Sequence, residues 1–202
     1  MASVLRARQA QDQLSHPQQA GTGTFAAGGT TLHFGKAGPE HAAGIVSLVN
    51  RSHANGGEVL PISIGIAHQW VASGDSYIVI DAATKEVVSH NSVTQWSAEC
   101  FELRSAVTKK EYQGNGINIA LKSKVIEDVF AENPNAVIIS LKNGSNGLGS
   151  LMRLGFVEEE LGEAMKRYGF KVLKPEEGPW HVYVLRLGNY KAVQLSGMLR
   201  DA

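Results

Sequence analysis

Apolar and polar residues alternate in several short stretches of this chain and recur at helical spacing in others. Thr31-Leu32-His33-Phe34-Gly35-Lys36-Ala37 alternates and predicts a strand. Gly38-Pro39-Glu40 then opens a helix, with Pro39 suited to its first turn. Ala43, Ile45, Val46, Leu48 and Val49 give that helix an apolar face, and Asn55-Gly56-Gly57 ends it. A second helix is predicted from Ser63 to Ala72, followed by a turn at Ser73-Gly74-Asp75. Ser76 to Asp81 reads as a strand, Ala83-Thr84-Lys85-Glu86 as a hairpin turn, and Val87 to Trp96 as its partner. Cys100 to Thr108 is a further strand. Gly116 to Ala131 is the clearest helix, with Ile117, Ala120, Leu121, Val125, Val129 and Phe130 on one side. Ala136 to Leu141 is a continuous apolar run, as expected of a strand buried on both faces. Gly147 to Leu154 reads as a short helix, Phe156-Val157 starts a strand, and Trp180 to Leu187 forms a last one. Leu161 to Gly169 carries no clear pattern. The order is β-α-α-β-β-β-α-β-α-β-β, a mixed α/β layer fold around one central sheet. Residues 1–29, rich in Gln, Ala, Gly and Ser, read as a flexible tail that adds little to the core, and residues 30–202 as one domain.

Composition narrows the function. Lys plus Arg and Asp plus Glu each number 19 in the 202 residues, so the net charge is zero. That argues against nucleic acid or an anionic membrane as partner. No apolar run approaches the length of a membrane span, and no signal-peptide segment follows the N-terminal arginines. The single cysteine, Cys100, excludes an internal disulfide and fits a reducing, cytoplasmic setting. It reads as a structural thiol rather than a nucleophile. The seven histidines are scattered without ligand spacing, so no metal site is expected.

The chemistry is concentrated between Glu102 and Asn118. There a strand runs into a glycine-bearing turn, and the turn opens the long helix. Helix N-termini leave backbone N–H groups unpaired and carry partial positive charge, and such an end holds a phosphate well. Gly114 and Gly116 let the backbone approach an anion closely. A plain strand-to-helix loop would also account for two glycines. A P-loop and a dinucleotide fingerprint fit worse, because there is no Gly-Lys-Ser/Thr ending and the glycine spacing differs.

Gln113-Gly114-Asn115-Gly116-Ile117-Asn118 resembles the Arg/Gln-x-x-Gly-x-Gly/Ala pyrophosphate loop of the Gcn5-related N-acetyltransferases (GNAT). Asn118 stands where that family usually has Gly or Ala. A second block, Leu151-Met152-Arg153-Leu154-Gly155-Phe156, resembles the family's tyrosine–glutamate–lysine–leucine–glycine–phenylalanine wording, with Leu151 in place of the tyrosine that often serves as general acid. The resemblance implies a mostly antiparallel central sheet flanked by helices on both faces, with a splayed strand pair. It implies acetyl-CoA as co-substrate, bound by Gln113, Gly114, Asn115, Gly116, Ile117 and Asn118, by the strand backbone at Val107 and Thr108, and by Asn143 or Asn146. It is loosely similar to N-acetylglutamate synthase-like amino-acid acetyltransferases.

Glu102 lies eleven residues before Gln113, at the offset of a glutamate in the family's histone acetyltransferases and N-acetylglutamate synthases. The resemblance therefore implies that it is the general base, with Glu99 as fallback. Otherwise it is a strand carboxylate paired with Arg104 or Lys122. With Leu151 apolar, the general acid would be Tyr168 or solvent. Arg104 is a candidate for a substrate carboxylate, which a guanidinium grips in bidentate fashion, and Trp96 for the acceptor pocket. The expected acceptor is a small-molecule amine such as an amino acid. Peptide acetylation, and a degenerate domain that senses acyl-CoA, are the alternatives. A homodimer is compatible with the chain.

Overall fold

The computed structural model describes residues 23–27, 29–144, 147–172 and 178–190. Eight strands form one sheet: β1 (Gly23–Ala27), β2 (Thr30–Lys36), β3 (Ser76–Asp81), β4 (Val87–Gln95), β5 (Cys100–Thr108), β6 (Val137–Lys142), β7 (Val157–Glu159) and β8 (His181–Arg186). Their order across the sheet is β1-β2-β3-β4-β5-β6-β8-β7. Every neighbouring pair is antiparallel except β5–β6, which is parallel. Parallel neighbours need a long crossover, and here α3 (Ile117–Glu132) provides it. The other helices are α1 (Ala42–Ala54), α2 (Ile64–Ala72), α4 (Leu148–Arg153) and α5 (Leu161–Tyr168).

Alternation along β3 shows how the layers divide. Tyr77 and Val79 join a core with Ile117, Leu121 and Val125 of α3 and Leu151 of α4. Ile78, between them, joins Ile45 and Val49 of α1 and Val71 of α2. Ile139, Val182 and Val184 pack with Ala164 of α5 in a third cluster. Strand side chains point alternately to opposite faces, so α3 and α4 cover one face and α1, α2 and α5 the other.

Two differences from the sequence reading stand out. The structure places β1 inside the stretch read as a tail, paired along its length with β2. The unpatterned stretch from Leu161 is a helix, α5. The Glu160 carboxylate caps it, accepting from the amides of Gly162 (2.9 Å) and Glu163 (2.7 Å), and Gly169 ends it at φ +72°. Glutamate is not among the favoured N-cap residues, so the start of α5 carried no familiar signal.

Two local devices position the site. Asn50 of α1 grips Ile62 in both directions: its Nδ2 donates to Ile62 O (3.0 Å) and its Oδ1 accepts from Ile62 N (2.8 Å). That fixes the loop between α1 and α2. The second device is a bulge in β5. His90 pairs with Val107 and Ser92 with Arg104, so Asn91 alone faces Ser105 and Ala106. Ser105 adopts φ +51°, the left-handed region that costs a non-glycine residue roughly 1–2 kcal/mol. Buried His90 holds it there. A carbonyl only accepts, so Nδ1–H donates to Ser105 O (3.1 Å) and Nε2 accepts from the Ser76 hydroxyl (3.0 Å). Trp70 stacks on the ring at 5.7 Å.

Burial pushes the His90 pKa down to about 4. The unfolded chain therefore binds a proton that the folded one refuses. Stability from this group is complete above the ordinary histidine pKa and is lost as pH falls toward 4. The expected loss is about 3 kcal/mol across that window. Urea unfolding from pH 7 to 4 measures it, and His90→Phe is expected to flatten that part of the slope.

Candidate functional site

β5 ends at Thr108, and the turn that carries the chain into α3 is held from several sides. Lys109 N donates to Val88 O (2.9 Å), prolonging the pairing with β4. Tyr112 Oη donates to Asp81 Oδ2 (2.6 Å), tying the turn to the β3–β4 hairpin. Gln113 Nε2 donates to Thr108 O (2.8 Å), and Asn115 Nδ2 reaches Gln113 O (3.4 Å). Gly114 and Gly116 sit at φ +83° and +74°, where glycine meets no steric penalty. Gly116 is the N-cap of α3 and offers no side-chain acceptor. The first amide bonded back along the helix is that of Ala120, to Gly116 O (3.0 Å). Among the described residues, the amides from Gly114 through Ile119 have no acceptor within the protein. They sit at the positive end of a 16-residue helix. A Cβ built on Gly114 would meet nothing within 4 Å, so the turn faces open space. Such a row of donors fits a phosphate or diphosphate.

Beside this turn the sheet comes apart. β5 pairs with β6 only from Cys100 to Glu102, against Val137 to Ile139. Beyond Glu102, β5 continues along β4 as far as Thr108, and β6 continues along β8 to Lys142. A cleft of about 130 Å³ opens where they part.

Charged side chains line it. Glu102 and Arg104 come from β5, Lys122 from α3, Lys142 from β6 and Glu58 from the loop clamped by Asn50. Glu102 pairs with Thr94, next to the Val93–Leu103 pair that faces α3. Alternation therefore turns Glu102 to the face of α1 and α2, and Lys122 reaches the cleft from the opposite face. Glu102 is 6% exposed. Trp96 Nε1 donates to its Oε2 (2.8 Å), and Arg104 Nε lies 3.7 Å from its Oε1. Burial holds the Glu102 carboxyl above the usual carboxylate range, and Arg104 and the Trp96 N–H oppose that shift. Lys122 is 4% exposed, and its Nζ donates to Ser150 Oγ (2.7 Å). Burial pushes its pKa down to about 7, with the Lys142 charge adding to the effect. Lys142 itself pairs with Glu58 (3.0 Å).

The structure brings only some of the predicted residues to this cleft. Glu102 and Arg104 line it together with Leu151, which is buried and apolar. Val107 and Thr108 lie on the stretch of β5 with no strand on its β6 side. The Val107 side chain is packed in the α1–α2 core, and Thr108 Oγ1 bonds Ser89 Oγ (2.8 Å). Both carbonyls already accept, Val107 O from Ser89 Oγ (2.9 Å) and Thr108 O from Gln113 Nε2 (2.8 Å), which leaves backbone N–H groups as what this stretch can offer. Ile117 is a buried anchor for the turn, and Asn118 is half-buried in the first turn of α3. Asn143, half-buried, follows the end of β6, and Asn146 lies outside the described residues. Two more have partners outside the cleft's lining. The Trp96 ring packs in the cluster around Cys100 and Ile139, and its N–H holds Glu102. Tyr168 is on α5, where its hydroxyl is engaged by Glu159 (3.0 Å) and by Arg186. Cys100 is buried, and burial pushes its thiol up to about 11, which leaves it inert as a nucleophile. From the sequence Lys122 was named only as a possible partner of Glu102, and Glu58 and Lys142 were given no role of their own. For Lys122 a signal existed: it stands at helical spacing from Ile119, Ile126 and Val129, on the apolar side of α3.

This arrangement can be set beside solved structures. N-acetylglutamate synthase from Neisseria gonorrhoeae, complexed with coenzyme A and N-acetylglutamate, superposes with a TM-score of 0.64 at 15% identity, over 77% of this chain and 35% of that one. The chain described here thus spans about a third of that synthase. A Mycobacterium tuberculosis protein in complex with CoA gives 0.62 at 14% identity, covering 76% of this chain and 98% of that one. The fold is that of the GNAT acetyltransferases. The ribosomal-protein-S5-alanine acetyltransferase from Vibrio fischeri shares the GNAT fold, with a TM-score of 0.60 at 15% identity over 84% of this chain and 99% of that one. No family model and no curated protein matches the sequence. Among the described residues, no cluster of His, Cys, Asp or Glu is placed to hold a metal ion, and no helix is long and apolar enough to cross a membrane.

The hydrogen bond from Trp96 favours the ionised form of Glu102. Trp96→Phe is therefore expected to raise the Glu102 pKa further. The carboxyl resonance of Glu102, titrated by NMR and assigned through Glu102→Gln, measures the shift; a downward movement contradicts this account of the site.

Proposed function

We propose that the chain transfers an acetyl group from acetyl-CoA to a primary amine, with an amino acid or similar small molecule as acceptor. The observation that carries this reading is one juxtaposition. The unpartnered amides from Gly114 to Ile119 directly follow a strand that parts from its neighbour, and the gap leads to a buried carboxylate. Amides at the start of α3 grip the CoA diphosphate. The pantetheine arm lies along the open side of β5, where the Val107 and Thr108 backbone meets its amides. The thioester then reaches the cleft.

Positioning supplies much of the rate. A backbone N–H near Val107 or Thr108 stabilises the oxyanion that develops on the carbonyl. Glu102, its proton affinity raised by burial, takes the proton from the acceptor ammonium. Arg104, on the same face of β5, receives an acceptor carboxylate. The CoA complexes of the N. gonorrhoeae and M. tuberculosis proteins, and the N-acetylglutamate bound in the first, support this choice of donor and acceptor class.

A second reading, an acyl-CoA sensor without turnover, is favoured by Leu151, which puts an apolar side chain in the cleft where the sequence resemblance expects a tyrosine. Calorimetry with acetyl-CoA against ATP, followed by free-thiol detection on pooled amines and amino acids, separates the two. The enzyme binds acetyl-CoA in preference to ATP and releases thiol with at least one pool. A sensor binds without release, and equal binding of ATP contradicts both.

Two variants sharpen the test. Glu102→Gln is expected to lower kcat/KM by roughly 10²–10⁴-fold and to remove the limb of the pH profile that rises as Glu102 ionises. Gly114→Asp adds a carboxylate where there is open space, at the cost of left-handed backbone strain of roughly 1–2 kcal/mol. It is expected to weaken acetyl-CoA binding about tenfold or more, by like-charge repulsion, with the chain still folded and its melting temperature lowered by several degrees.

A further inference from the structure

Lys122 is the least ordinary group in the cleft. Lysine is almost never fully buried without an anionic partner, yet Lys122 is 4% exposed and, among the described residues, its Nζ has one acceptor, the neutral Ser150 Oγ. Ser150 Oγ in turn donates to Gly147 O (2.6 Å), which orients its lone pairs toward the lysine. An ammonium has three N–H donors, so two remain for whatever enters the cleft that Lys122 lines. The charged groups around that cleft are Glu102 and Arg104 on β5, Lys142 on β6 and Glu58 on the α1–α2 loop. Glu102 is occupied by Arg104 and Trp96, and Lys142 pairs with Glu58. Leu151 offers no proton, and the Tyr168 hydroxyl is engaged by Glu159 and Arg186.

We propose that Lys122 is the general acid of the reaction, giving its ammonium proton to the departing CoA sulfur across the cleft from Glu102. This inference rests on the acetyltransferase reading above. In the step, the neutral amine, whose ammonium proton Glu102 has already taken and passed to solvent, attacks the thioester carbonyl carbon through nitrogen, the C–N bond forms, and the C–S bond breaks with its electron pair moving to sulfur. Glu102 takes the proton from nitrogen and Lys122 supplies one to sulfur. The products are amide, free thiol, a protonated Glu102 and a neutral Lys122, and exchange with solvent resets both. The placement suits the task, because base and acid enter the gap from opposite faces of the sheet. The acidity suits it as well. A thiol titrates near 8.5 and an ordinary lysine near 10.4, so an unperturbed lysine would give up its proton uphill. Lys122, lowered to about 7, gives it up downhill.

Lys122→Met keeps the volume and removes the charge, so the variant is expected to fold. With the amine that gives the fastest thiol release, its kcat is expected to fall about 10²-fold or more, while the acetyl-CoA dissociation constant stays within about threefold. The unaltered chain is expected to lose kcat as pH rises through about 7, and that falling limb is expected to be absent in Lys122→Met. On the unaltered chain, the ¹³Cε signal of Lys122 is expected to titrate in the same range and to move when CoA is added. A variant that keeps both kcat and the falling limb, or CoA binding that leaves the Lys122 signal unmoved, overturns this proposal alone. An unaltered chain that neither binds acetyl-CoA nor releases thiol overturns the acetyltransferase reading together with it.

Discussion

The site depends on a disagreement between two strands. β5 begins as the parallel neighbour of β6 and ends as the partner of β4 alone. A bulge bends its strand and sharpens the local twist, and the bulge at Ser105 and Ala106 lies just past the point where β5 leaves β6. His90 secures that bulge from beneath, through the Ser105 carbonyl. Buried polar groups are costly unless bonded, so the row Ser89, His90, Asn91 and Ser92, all fully buried, is a sign that the middle of the sheet is organised for more than packing.

The turn after β5 follows from the same parting. Thr108 pairs with Ser89, and its carbonyl accepts from Gln113. The end of the strand and the start of α3 are thereby one rigid piece, with Tyr112 pinning it to the neighbouring hairpin. The helix start has no cap of its own. The first amides of a helix are satisfied by caps, water or ligands, and at this exposed turn the row is left to water and is open to an anion that can displace it.

Much of this was legible in the residues. The alternation of Ser76–Asp81 and Cys100–Thr108 and the helical spacing of Ile117, Leu121 and Val125 gave those elements nearly to the residue. The glycine turn was readable because few residues other than glycine accept positive φ, and two of them stand before a long amphipathic helix. α5 was missed because its cap is a glutamate, and β1 because its ladder with β2 lies in a stretch whose composition suggested a tail. The interior of the cleft was harder still. Glu102 was found by its place in a motif, whereas Lys122, Lys142 and Glu58 lie far apart in sequence and meet only because β6, α3 and the α1–α2 loop converge. Trp96 and Tyr168 show the converse: residue type suggested a role, while the structure shows packing against Cys100 and hydrogen bonding to Glu159, neither of which the sequence foretold.

The clamp between Asn50 and Ile62 carries one more implication. The segment it closes is fastened at its near end by Gly57 N to Ser52 O (2.8 Å) and midway by His53 Nδ1 to Val59 O (2.9 Å), so its backbone is anchored by α1, while Glu58 ties it to Lys142 of β6. Residues between those anchors contribute one wall of the cleft without belonging to the sheet. The wall is thus a replaceable panel: drift in its sequence can reshape the chamber while the frame that grips the donor stays as it is.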